Sequence, residues 1–315
     1  MSKRYNSFNQ HLRAVFGEKV FKVPLDAGFT CPNRDGTLGR DGCIYCSARG
    51  SGDFAAEQEL SLPEQFARSR NMMANKWPKA KYIAYFQAYT NTYAPVSRLR
   101  EIYGQVLNLP GVVGIAIATR PDCLPQDILA YLEELNRTTY LWVELGLQSI
   151  HQKSLDWIGR GHDYAMFCTV LSELRKRDIK VCGHIILGLP GENKEDMLAT
   201  AQAIAALPLQ GIKLHLLHVL KGTRLAEIYK ENPFPLLTAA EYVSLIVDIL
   251  ELLPAQMIIQ RLTGDGPPDD LIAPLWSRKK WEILNAIDAE LARRDSWQGK
   301  KGRNFTGKCR NCYQT

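Results

Sequence analysis

Short, nearly continuous apolar runs alternate along this chain with longer stretches in which apolar residues return every three or four positions. Phe8, Leu12, Val15 and Phe16 lie at helical spacing in an otherwise polar opening segment. Val20, Phe21, Val23 and Leu25 read as a first strand. A helix over 62–76 begins at Ser61-Leu62-Pro63-Glu64, with proline in its first turn. Residues 82–86 read as a buried strand, and a helix over about 97–107 carries Leu99, Ile102, Tyr103 and Val106 on one face. The pattern then repeats: strand 112–118, helix 126–135, strand 141–145 running on through Gly146 to Ser149, helix 164–177, strand 179–187 and helix 194–206. A sixth strand over 212–219, a helix at about 239–252, a short seventh strand over 257–262 and a last helix at about 274–294 complete the reading.

Regular alternation of strand and helix predicts a parallel sheet with right-handed crossovers. Six full units, without a seventh and eighth of full length, predict α/β architecture as an open, partial (β/α)6 barrel with helices outside. A doubly wound open sheet has the same pattern, because periodicity does not report curvature. No linker interrupts residues 17–262. The expected organisation is an N-terminal helical segment (1–16), the barrel (17–262), a C-terminal helical region (263–295) and a basic, cysteine-containing tail (296–315).

With 315 residues, 46% of them hydrophobic, the chain can bury a large core. It holds no apolar run long enough to cross a bilayer, and MSKRYNSFNQHL lacks the apolar core of a signal peptide. A cytoplasmic protein is expected, and eight cysteines there argue for metal binding or reactive thiols over disulfides. The net charge of +6 is uneven. From residue 293 onward, Arg293, Arg294, Lys300, Lys301, Arg303, Lys308 and Arg310 face only Asp295, with Trp297, Phe305 and Tyr313 interleaved. Such a segment suits nucleic acid, and it also suits a solvated terminus. Its Cys309-Arg310-Asn311-Cys312 pair reads either as ligands or redox thiols, or as two reduced cysteines.

Between Asp26 and Cys46, directly after the first strand, Cys31, Cys43 and Cys46 stand at C-x11-C-x2-C among Pro32, Asn33, Gly36, Gly39 and Gly42. That composition is loop, at the C-terminal end of a strand where α/β sites are built. Three neighbouring thiols without a local fourth cysteine fit an iron–sulfur cluster with one open iron, or a zinc site completed by a histidine such as His11. Cys123, Cys168 and Cys182 read as small core residues.

The loop resembles the cluster motif of the radical S-adenosylmethionine (SAM) superfamily, with the usual C-x3-C-x2-C widened. The widening is similar to the group related to the Elongator catalytic subunit, and within it to small bacterial YhcC/YtqA-type proteins, over nearly the whole chain. The resemblance implies a partial barrel and a [4Fe-4S] cluster on Cys31, Cys43 and Cys46 whose open iron chelates SAM. One electron, from a donor such as flavodoxin or ferredoxin, then cleaves SAM to methionine and a 5′-deoxyadenosyl radical. It also implies an RNA substrate, a tRNA wobble uridine, although the chain stops short of the Elongator acetyltransferase domain.

The strand ends supply the remaining expected contacts. Tyr45 is placed to pack on SAM. Gln87, Thr90 and Asn91 stand where the superfamily often has Gly-Gly-Glu, so the SAM amino group is expected to rest on main-chain carbonyls with Thr90 or Asn91. Glu144, inside an apolar strand, and Gln148 are assigned to SAM; the alternative for Glu144 is a buried ion pair with Arg120 or Lys180. Arg160-Gly161-His162 looks like the group's Arg-Gly-His segment, with Arg160 gripping the SAM carboxylate and His162 alternatively capping the next helix. The turn containing Gly188 and Pro190 is expected to let backbone approach the adenine. His184, His215 and His218 read as core histidines. No catalytic residue is assigned. The alternatives to an RNA-modifying enzyme are a radical enzyme for a protein or small metabolite, and an RNA-associated metal-binding module without SAM chemistry.

Overall fold

The computed structural model describes residues 3–50, 52, 59–74, 76–264 and 266–302. Nine strands form: β1 (Val20–Leu25), β2 (Lys81–Phe86), β3 (Val112–Thr119), β4 (Tyr140–Gln148), β5 (Lys180–Leu187), β6 (Gly211–Leu216), β7 (Val219–Leu220), β8 (Ile258–Arg261) and β9 (Leu271–Ala273), counted among the described residues. Seven of them make one parallel sheet in the order β1-β2-β3-β4-β5-β6-β8. The helices are α1 (Phe8–Phe16), α2 (Leu62–Ala74), α3 (Val96–Leu107), α4 (Gln126–Thr138), α5 (Gln152–Trp157), α6 (Tyr164–Lys176), α7 (Lys194–Ala205), α8 (Arg224–Glu231), α9 (Ala239–Leu252) and α10 (Lys280–Arg293). This is the expected partial barrel, with helices covering one face of a curved parallel sheet.

Two differences have local causes. The sixth strand ends at Leu216 rather than running to 219; Val219 and Leu220 leave the sheet and pair antiparallel with β9. Helices α5 and α8 were not expected, being six and eight residues long and too short for a clear apolar period. Elsewhere the local signals held. Ser61 and Glu64 bond reciprocally as a capping box ahead of α2, and Ser7 with Gln10, Asn193 with Asp196 and Thr238 with Glu241 do the same for α1, α7 and α9.

Strand alternation divides the sheet into two faces. Val23, Leu25, Phe86, Ile115, Val143 and Leu145 face the helices and belong to the main core. The opposite face forms the barrel interior. At the N-terminal ends of the strands, α1 lays Phe8 and Leu12 against Val20, Ile83 and Trp142, with the Phe8 ring edge-on to Trp142 at 5.8 Å. His11 on the same helix bonds Tyr140 Oη at 2.7 Å. The segment before α1 also covers the β8 edge, where Ile259 N donates to Asn6 O at 2.8 Å. Burying these apolar groups contributes about 1.5–3 kcal/mol per large side chain and closes this end of the barrel.

Of the expected basic tail, 296–315, the first seven residues are described. Residues 296–302 are part of the fold. Ser296 and Gln298 are buried, and Lys301 pairs with Glu251. Arg293 and Arg294 are also paired, with Glu290 and with Glu290 plus Asp248 respectively. The aromatic at position 297 lies under Lys300. Cys309, Cys312 and the remaining charges of the segment lie outside the described residues. Gln298 joins three parts of the chain: its amide donates to Pro254 O (2.6 Å) and Met257 O (2.8 Å) and its carbonyl accepts from Asn6 N (2.8 Å). Gln298→Ala is therefore expected to cost about 1–3 kcal/mol in urea unfolding, because it strands these backbone groups. A midpoint equal to that of the parent chain would show that the strap carries no stability.

Candidate functional site

The segment after β1 has no regular secondary structure, yet it is tied at several points. Gly42 N donates to Asn33 O at 2.8 Å, Ile44 N to Ile158 O at 3.1 Å and Leu225 N to Ile44 O at 2.9 Å. The Asn33 amide donates to Gly159 O at 2.7 Å and reaches Cys43 Sγ at 3.4 Å. Tyr89, at positive φ after β2, donates its backbone N–H to Gly50 O at 2.7 Å and its hydroxyl to Ala48 O. Loop, turn 158–160 and β2 end thus form one unit.

Cys31, Cys43 and Cys46 all line a single cavity of about 230 Å³ at the C-terminal ends of the strands. Two guanidinium groups are aimed at the sulfurs. Arg160 Nη1 lies 3.8 Å from Cys43 Sγ and Arg120 Nη1 lies 3.9 Å from Cys31 Sγ. Arg120 is held in place by Asp122, at 2.9 and 2.8 Å, and Arg160 by donation to Gly146 O at 2.9 Å. Gly146 leaves room for it: a methyl group there would stand 2.5 Å from Arg160 Nη2 and displace the guanidinium. Cys43 and Cys46 share a hydrogen bond, which together with Arg160 and Arg120 holds the Cys43 thiol well below its usual range while burial opposes. Cys123, by contrast, is pushed up to about 12 by burial.

The donor set fits an iron–sulfur cluster by its chemistry: three sulfurs on one cavity, with cationic hydrogen-bond donors beside them. Among the described residues, no three His, Cys, Asp or Glu side chains are gathered around one ion-sized point. The zinc alternative through His11 is corrected, since α1 occupies the opposite end of the barrel and His11 is bonded to Tyr140.

Tyr45, Gln87, Thr90, Glu144, Gln148 and Arg160 line the cavity with the cysteines. Gln148 has φ +82, and the β4–β5 register shifts between Gly146 and Gln148, so a bulge re-aims the end of β4. Asn91 does not line the cavity; its amide donates to Ala118 O at 2.9 Å. Gly188 and Pro190 also stand outside the lining, and Gly188 packs on Leu237. His162 does not cap the following helix, a task done by Asp163 accepting from Met166 N.

The floor of the cavity was only partly foreseen. Glu144 is fully buried and paired, but with neither expected partner: Arg120 is on Asp122, and Lys180 lies over the Tyr140 ring. Instead Glu144 Oε1 accepts from Lys22, and Oε2 accepts from Lys213, from Tyr85 Oη (2.7 Å) and from His184 Nε2 (2.9 Å). Burial pushes this carboxyl up, and Lys213, Lys22 and His184 outweigh it, so it stays ionised well below the usual carboxylate range. Burial pulls Lys213 down to about 7, with Lys22 and Arg261 adding to the fall and Glu144 opposing it. Lys22 and Lys213 carry the signal that singled out Glu144, a charge within an apolar strand. Arg120 and Arg261 carry none, because each stands at a strand end.

The sequence model of the Radical SAM superfamily matches residues 31–204, and that of the Radical_SAM C-terminal domain matches residues 209–293. YtqA of Bacillus subtilis is 54% identical over 298 residues, covering 95% of this chain and 92% of YtqA. The tRNA uridine(34) acetyltransferase of Dehalococcoides mccartyi is 30% identical over 158 residues, 49% of this chain and 34% of that protein. The solved archaeal Elp3 of Methanocaldococcus infernus shares the fold with a TM-score of 0.67 at 17% identity, over 89% of this chain and 64% of that one.

Buried histidines give the folded state an acid-side weakness. Burial holds His162 at about 2 and His184 at about 4, in each case with nearby cations adding to the fall. The unfolded chain protonates these imidazoles near pH 6.5. Below that pH the unfolded state binds more protons than the folded one, so stability falls as pH falls. His162 alone accounts for roughly 2–3 kcal/mol of loss by pH 4.5. Urea unfolding of the parent chain and His162→Gln at pH 7.5 and 4.5 is expected to show the smaller acid-side loss in the variant; equal losses would remove His162 from the account.

Proposed function

This chain belongs to the radical SAM superfamily, and from that premise we propose that Cys31, Cys43 and Cys46 ligate one [4Fe-4S] cluster with S-adenosylmethionine bound beside it. The observation that carries the reading is the sharing of one cavity by the three cysteines with Arg120 and Arg160 directed at two of the sulfurs. The chain is a SAM-dependent enzyme of this superfamily; when bound, the two groups together supply one-electron reduction and hydrogen-atom abstraction from carbon.

The chain's own residues then bind, orient and shield. Tyr45, Gln87, Thr90 and Gln148 surround the thiols and are assigned to SAM. Arg160 uses one contact of each terminal nitrogen, on Cys43 Sγ and Gly146 O, and its Nε is buried without a partner, so it keeps donors for a ligand. The packing of α1 into the far end of the barrel leaves the strand C-termini as the approach, which keeps solvent hydrogen donors from the reacting carbon.

The substrate assigned is a base of transfer RNA. Support comes from the partial similarity to a tRNA uridine(34) acetyltransferase and from the basic residues beyond Gly302. An electron donor of the flavodoxin or ferredoxin kind and a reducing, cytoplasmic setting belong to the same reading. Among the described residues no helix is long and apolar enough to cross a membrane.

Anaerobic reconstitution of a Cys31, Cys43, Cys46→Ser triple variant is expected to yield far less iron and no deoxyadenosine from SAM; iron at the parent level would defeat the assignment. Cys168→Ser and Cys182→Ser are expected to load normally. For the substrate, deletion of residues 303–315 removes Arg303, Lys308 and Arg310. It is expected to weaken tRNA binding and to lower the slope of log affinity against log salt by up to about 2–3. An unchanged slope would mean that the tail does not hold RNA.

A further inference from the structure

The cavity continues past the cysteines to a second polar region on the other side of the barrel, lined by Tyr85, Glu144, His184, His215 and Arg261. Its charges do not balance. Arg261 is the cation and Glu144 the one carboxylate among the described residues that line this region, and Lys22 and Lys213, which do not line it, both pair with Glu144. Both Glu144 oxygens are taken, Oε1 by Lys22 and Oε2 by Lys213, Tyr85 and His184. Arg261 is not among these partners and forms no ion pair or hydrogen bond with a described residue. His215 reaches the same region with its ring 5.1 Å from that of His184 and its Nε2 buried without a partner. Arg261 is close enough for its charge to depress His184, Lys213 and His215, which places these groups in one field.

A cation at a buried cavity wall is unfavourable unless an anion completes it. We infer that this region is a subsite for a carboxylate or phosphate carried by the substrate, received by Arg261 and His215. The guanidinium supplies a planar fork that either anion can accept, and the unpartnered imidazole nitrogen of His215 supplies a further donor. The inference rests on the reading of the cavity as the reaction site, and it narrows the substrate: the part that reaches deepest carries an acidic group. An RNA nucleotide meets this condition through a phosphate or an acidic base substituent, and a small metabolite through a carboxylate. SAM also carries a carboxylate, so the test must separate it from the substrate.

The test uses the full chain, both cluster-free and reconstituted, at constant ionic strength. Calorimetric titration of the cluster-free protein with malonate and with inorganic phosphate is expected to show saturable binding of at least one. Preference for malonate assigns a carboxylate, and preference for phosphate assigns a phosphate. Arg261→Gln should weaken that binding by about tenfold or more. Arg261→Gln leaves the four contacts of Glu144 in place, so it tests the subsite without unpairing that carboxylate. SAM affinity of reconstituted Arg261→Gln, measured by equilibrium dialysis, should stay within about twofold of the parent. Binding of neither anion, or equal anion binding by parent and Arg261→Gln, overturns the inference. Loss of SAM affinity in Arg261→Gln also overturns it, by giving Arg261 to SAM. Anion binding read on cluster-free protein stands apart from iron loading, so failure of the cluster assignment and failure of the subsite are distinguishable.

Discussion

A carboxylate sealed inside a parallel barrel has to be neutralised from other strands, and Glu144 sets that condition here. Its side chain is fully buried, and the groups that satisfy it come from β1, β2, β5 and β6. Removing one partner from such a cluster typically costs about 3–5 kcal/mol, because the charge left behind has nowhere to go. The cluster therefore ties five strands of a sheet that does not close on itself. It also sets the depth of the cavity, since apolar packing from α1 fills the barrel below it and polar groups line the space above.

The same logic of neutralisation recurs at the strand ends with opposite sign. There the buried groups are cations, Arg120 and Arg160, and the acceptors are Asp122, the Gly146 carbonyl and the cysteine sulfurs. Each arginine is positioned by one interaction and offers another to a sulfur. Gly146 has no side chain, which lets Arg160 lie against the backbone of β4. The bulge at Gln148 turns the end of that strand toward the cavity. A single strand thus supplies the deep anion, the seat of an arginine and a residue in left-handed geometry.

The C-terminal region shows how charge in a sequence differs from charge available to a partner. Arg293, Arg294 and Lys301 contribute to the basic count, yet each is engaged by a carboxylate on α9 or α10. What remains for long-range attraction is Lys300 and the basic residues beyond Gly302. A polar residue that looks unremarkable, Gln298, turns out to bind three backbone groups and fasten the two ends of the chain together.

Much of the architecture was legible in the sequence because it rests on local periodicity. Apolar runs alternating with helical spacing determine a parallel sheet, and capping residues such as Ser61 and Thr238 mark where helices begin. That the three cysteines line one cavity was legible for a similar reason: two of them are neighbours along the chain and all three follow one strand end. Glu144 was visible as a charge within an apolar strand, and Lys22 and Lys213 could have been read the same way. Their pairing could not. Alternation assigns a side chain to a face of the sheet, whereas its height inside the barrel depends on strand stagger and curvature, which arise only when all seven strands assemble. Tertiary structure alone therefore decided that Lys22, Tyr85, Glu144, His184 and Lys213 meet, that Arg261 stands beside them with no ion pair to a described residue, and that His11 belongs to the end of the barrel opposite the cysteines.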